Sequence, residues 1–201
     1  MTAVGPHLFW ITSRAAGIAA MMLASGSLGV GVLIRGRGES RRLLGSDVRA
    51  LHEALSLATL VAIAVHGLAL LGDAYLHPSP LDITIPFTGG YRPFWTGLGI
   101  VGGWGLAALG LSYYARGRIG AQRWRYLHRF IPIFWALGLV HTLGAGTDAE
   151  QLWLLVAIGL PTAPALFLLL GRLFGSAEAE PSRQQRRRRQ APQPQFSGRR
   201  G

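Results

Sequence analysis

The chain has 201 residues, of which 50% are hydrophobic and only 14% charged, and it contains no cysteine. That balance excludes an ordinary soluble domain, and the missing thiols exclude disulfides, iron–sulfur clusters and thiolate-bound metals. All 20 basic residues are arginine, so redox or metal chemistry here falls to histidine, carboxylate or an organic cofactor.

Five apolar runs are each about 20 residues or longer, enough to cross a hydrocarbon core of roughly 30 Å. They cover residues 8–34, 50–72, 94–115, 126–146 and 151–174. The expected fold class is all-α, an integral membrane bundle of about five transmembrane helices. The first run is not a cleavable signal peptide, because it lacks a basic leading segment and is too long. It reads FWITSRAAGIAAMMLASGSLGVGVLI, rich in glycine, alanine and serine. Small residues let helices approach closely in lipid, and GSLGVG inside such a run is packing surface, not a dinucleotide loop.

Arginine is unevenly placed. Five (Arg35, Arg37, Arg41, Arg42, Arg49) lie between runs one and two, five (Arg116, Arg118, Arg123, Arg125, Arg129) after run three, and eight from Arg172 to Arg200. The segment between runs two and three has only Arg92, and the one between runs four and five has none. By the positive-inside rule the N-terminus is outside and the C-terminus cytoplasmic, in the plasma (inner) membrane. Residues 72–93, with Pro78, Pro80, Pro86 and Pro93, are expected to form a short ordered loop on the outer surface. Residues 1–175 then form one membrane domain, and 176–201 an arginine-rich disordered tail drawn to anionic lipid, with no role in nucleic-acid binding.

Histidines carry the chemistry. Run two holds His52 and His66, 14 residues apart, and run four holds His128 and His141, 13 apart. The two runs cross in the same direction, so they present two histidine pairs at matching depths, about 20 Å apart along the helix. Two stacked haems suit this pattern, each iron taking one imidazole from either side. Each histidine alone has a plainer reading, as a helix–helix hydrogen bonder or proton relay. His7 and His77 read as surface histidines in outer loops. At about 100° per residue, 14 residues return close to the starting face, whereas 13 leave the second histidine about 140° away. Pro132 lies between His128 and His141 and distorts the helix there. Arg14, about six residues into run one, needs an anionic partner or must snorkel. Glu53, beside His52, faces the arginine-rich interface.

With its 14-residue and 13-residue histidine pairs and RWRYLHR opening the second, the chain resembles the ferric reductase-like transmembrane domain. That family covers ferric reductases, NADPH oxidases and the haem-binding membrane subunit of a bacterial methionine sulfoxide reductase system. The resemblance spans residues 8–174 and implies two haems b, with His52 and His128 on the inner iron and His66 and His141 on the outer one. A propionate of the outer haem is then a partner for Arg14. The resemblance implies electron transfer from a cytoplasmic or quinol donor to an acceptor outside. Family reductases often carry a cytoplasmic flavin and nicotinamide domain after the last span, but here the arginine tail follows. The expected donor is therefore a separate flavoprotein reductase or quinol, with any flavin belonging to that partner. The competing functions are a histidine-relay transporter or proton conductor, and a membrane anchor subunit without redox activity.

Overall fold

The computed structural model describes residues 5–35 and 46–190, with side chains described from His7 to Arg35 and from Ser46 to Phe174. All regular elements among them are helices: α1 Gly5–Ile34, α2 Ser46–Leu70, α3 Pro80–Thr84, α4 Pro93–Leu111, α5 Arg116–Ile119, α6 Ala121–His128, α7 Ile131–Ala145 and α8 Leu152–Gln190. Four of them, α1, α2, α4 and α8, contain segments long and apolar enough to cross a membrane.

The bundle buries several hydroxyl side chains and leaves many large apolar ones on its outer surface. Ser13, Ser25, Ser27, Thr59 and Thr162 are buried, while Leu160 and Phe167 are 76% and 77% exposed. An exposed apolar surface of this extent fits contact with lipid and not water. The chain is accordingly a multi-pass membrane protein.

Helix α1 is the central element, packed against α2, α7 and α8, while α4 packs chiefly on α7. Met21 and Leu28 of α1, Trp135 of α7, and Leu154, Ile158 and Ala165 of α8 form the buried apolar cluster. At its centre Ser25, fully buried, uses its whole hydrogen-bonding capacity. Its hydroxyl donates to the Met21 carbonyl (2.8 Å) and receives the Trp135 indole N–H (3.1 Å). With its one proton committed, the 3.0 Å contact to Thr162 Oγ1 must be donated by the threonine.

Two elements differ from the sequence reading. Run four is not one continuous helix: α6 ends at His128 and α7 begins at Ile131 with a proline in its first turn. Pro132 has no amide hydrogen to continue the ladder, so the chain restarts a helix there. At 15 residues, α7 is about 22 Å long, shorter than a full bilayer crossing. The last helix also continues past residue 175 to Gln190, where the sequence suggested a disordered tail. Ala, Glu, Gln and Arg propagate a helix that is already nucleated. Residues 191–201 lie outside the described residues.

The connection from α2 to α4 is ordered, as expected. Asp73 Oδ1 accepts from the Tyr75 and Leu76 amides (2.8 and 3.4 Å). Ser79 and Asp82 form a reciprocal capping box on α3. His77 sits exposed in this connection with φ 42°, whereas His7 lies in the first turn of α1 and not in a loop.

Candidate functional site

The four histidines of runs two and four meet in two pairs. His52 faces His128 with ring centroids 6.4 Å apart, and His66 faces His141 at 6.2 Å. Their planes cross at 88° and 69°. The helix break before Pro132 solves the phase problem of the 13-residue spacing. A continuous helix would point His128 and His141 about 140° apart, whereas here both reach toward α2. Helices α2 and α7 are not among the pairs that pack closely, so the facing rings bridge a separation between helices.

Each imidazole has a second nitrogen, and its partner decides what the first can do. His66 Nδ1 lies 2.8 Å from the Ser13 carbonyl, His52 Nδ1 3.0 Å from the Ser27 carbonyl, and His141 Nδ1 3.0 Å from the Trp95 carbonyl. A carbonyl only accepts, so all three Nδ1 atoms carry the proton and all three Nε2 atoms keep a free lone pair. The serine hydroxyls agree. Ser13 Oγ donates to the His66 carbonyl (3.0 Å) and therefore accepts from His66 Nδ1 (3.1 Å). Ser56 Oγ donates to the His52 carbonyl (2.7 Å), so its 2.8 Å contact with Ser27 is donated by Ser27. Ser27 Oγ is then an acceptor for His52 Nδ1 at 3.2 Å. His128 differs: no hydrogen bond of that geometry reaches its buried Nδ1. It stacks instead on Trp124 at 4.9 Å and 29°.

An imidazole whose Nδ1–H is tied to a backbone carbonyl is the usual form of a metal-ligating histidine. Two such nitrogens about 2.0–2.1 Å from one ion, on rings whose centres lie roughly 1.1 Å further back, put those centres about 6.2–6.4 Å apart. The observed 6.4 and 6.2 Å fit that requirement. Among the described residues no group of three or more His, Asp or Glu could hold an ion, so each pair offers two ligands and no more. That donor set suits an ion whose remaining ligands come from a macrocycle, as in haem.

Arg14 forms an ion pair with Asp148, in the connection from α7 to α8, and lies over the Trp10 and Trp153 rings at 4.5 and 5.9 Å. The anion beside it is thus a carboxylate of this chain. Glu53 accepts the Tyr114 hydroxyl at 2.7 Å. Arg92 Nη1 donates to the Gly144 carbonyl at 2.7 Å, and the Tyr91 hydroxyl to that of Ala145 at 3.1 Å, closing the end of α7 beyond His141. Sequence reasoning missed Ser13, Ser27, Ser56, Trp95 and Trp124. A signal for the first two was present: Ser13 and Ser27 are 14 residues apart, as are His52 and His66. Comparison with family models, with curated proteins and with solved structures gives no match for this chain.

Proposed function

We propose that the chain is a b-type haem protein of the ferric reductase-like kind that carries electrons across the membrane. The observation that carries this reading is the two pairs of facing imidazoles, 6.4 and 6.2 Å apart, with three of the four rings fixed so that Nε2 is free. His52 and His128 would hold one haem b, and His66 and His141 a second. Bound between such ligands, each iron supplies one reversible electron step. The chain's own part is to fix ring orientation, exclude water and space the two centres along α2. Three tethered imidazoles favour this reading over a proton relay, because their Nδ1 protons are committed to carbonyls and not passed between histidines.

In this reading the arginine-rich end is cytoplasmic, the membrane is the plasma membrane, and electrons enter beside His52 and His128. The donor is quinol or a separate flavoprotein, and the acceptor lies beyond His66 and His141. The test is an oxidised-minus-reduced spectrum of the purified full chain with haem counted per chain. Two haems are expected. His66→Ala and His141→Ala should remove the same spectral component, His52→Ala and His128→Ala the other. Combining the two changes of one pair should add little, since residues serving one site are not additive. Absence of any Soret band overturns the reading. Loss of the same component by His52→Ala and His66→Ala overturns the pairing.

A further inference from the structure

The three tethered histidines share a backbone device. In each case the accepting carbonyl is at helix position i and a glycine stands at i+4: Ser13 with Gly17, Ser27 with Gly31, and Trp95 with Gly99. A helical side chain leans toward the N-terminus and covers the turn before its own Cα. The residue at i+4 therefore shields carbonyl i from the side, although that carbonyl keeps a spare lone pair after accepting its helical amide. Glycine removes the shield.

The clearances show that the space is used. A Cβ at Gly17 would lie 3.0 Å from His66 Nδ1, one at Gly31 3.0 Å from His52 Cε1, and one at Gly99 2.6 Å from His141 Cγ and Nδ1. The fourth histidine supplies the counter-case. No hydrogen bond of the geometry that the other three rings make reaches His128 Nδ1.

We propose that Gly17, Gly31 and Gly99 are positioning residues, carbonyl windows that fix the tautomer and orientation of His66, His52 and His141, and that His128, lacking a window, is the freest of the four rings. The tautomer part stands on the hydrogen bonds alone, and only its redox consequence rests on the haem reading above. A ligand whose Nδ1–H is bonded is the more basic one and favours the oxidised iron. Closing a window therefore raises the midpoint potential of the one centre it serves.

The experiment uses the full chain, haem-free and haem-loaded, with ring-15N-labelled histidine. In the haem-free protein His52, His66 and His141 should each show a single Nδ1–H tautomer and His128 a mixture. Gly17→Ala should convert only His66 to a mixture, and Gly31→Ala only His52. Gly159→Ala, where nothing lies within 4 Å of the added methyl, should change neither. In the haem-loaded protein Gly17→Ala should raise the midpoint of the component lost in His66→Ala, and Gly31→Ala that lost in His52→Ala. Gly99→Ala is the tightest site and the one most able to block folding; in that event the wild-type contrast between His128 and the other three still decides. Unchanged tautomers in both α1 variants, or a wild-type protein in which all four rings behave alike, overturn the proposal. Tautomers as stated in a chain that binds no haem would overturn the redox reading and leave the windows standing.

Discussion

The two histidine pairs are built to different standards. At the arginine-poor end both rings are tied to carbonyls, and the helix end beside them is closed by Arg92 and Tyr91. At the arginine-rich end only His52 is tied, and His128 sits at a helix break, against Trp124. Beyond Trp124 come Tyr113 at 5.7 Å and the exposed Tyr114, so aromatic rings lead from His128 to the surface. On the haem reading proposed above, the closed end would face the acceptor, and the loosely held end, with aromatic rings at the surface, would face the donor.

The largest effect expected from breaking this contrast comes from Pro132→Ala. Restoring the amide lets α6 and α7 join, which turns His128 away from His52 by about 140°. The spectral component lost in His128→Ala should disappear while the other persists, read from the difference spectrum. Next is Gly144→Ala at the closed end, where the added methyl collides with the Trp95 ring. Overpacking of this kind costs about 1–3 kcal/mol, and the melting temperature should fall. Arg92→Ala ranks third. It removes the bond to the Gly144 carbonyl, a loss of about 1 kcal/mol. Because Arg92 holds φ at 41°, Arg92→Gly should cost less, and equal losses would show that backbone strain plays no part.

The smallest effect is in pH. On the α3 side the Asp82 carboxyl is held below its usual range by the Ser79 backbone amide and then its hydroxyl. A depressed carboxylate contributes above its unfolded value and loses that contribution as pH falls through the folded one. Amide exchange in α3 should therefore quicken only below about pH 4. At the opposite end the Tyr114 phenol is pushed up, first by its hydrogen bond to Glu53. That contribution is present at neutral pH and lost as pH climbs through the raised value, above about pH 10. Tyr114→Phe should abolish the alkaline change and leave the acid one.

Much of this was legible from sequence. The apolar runs gave the helices because length and hydropathy nearly suffice in lipid, and the histidine spacings gave the pairing because depth follows from counting residues. The break between His128 and Ile131 was only half legible. Pro132 marked a distortion, but its direction depends on packing against α4. Arg14 and Asp148 could not be matched, since nothing local relates residues 134 positions apart. The carbonyl windows were hidden for another reason: a glycine in a membrane helix looks like a packing residue, and only the ring opposite reveals what its missing side chain uncovers.

Helix α1 is also a ruler. Its two windows lie 14 residues apart, about 21 Å, and the two rings they serve lie the same distance apart on the antiparallel α2. A single inserted residue in α1 between Gly17 and Gly31 swings one window about 100° off its ring and moves it 1.5 Å along the axis. No insertion in α1 alone restores the match, since even seven residues, which nearly recover the facing, lengthen one helix by about 10 Å. The two helices can therefore change length between these points only together. Sequences descended from a common ancestor with this one should keep that interval free of gaps in both helices, while the connection between them varies in length at no cost to either ring.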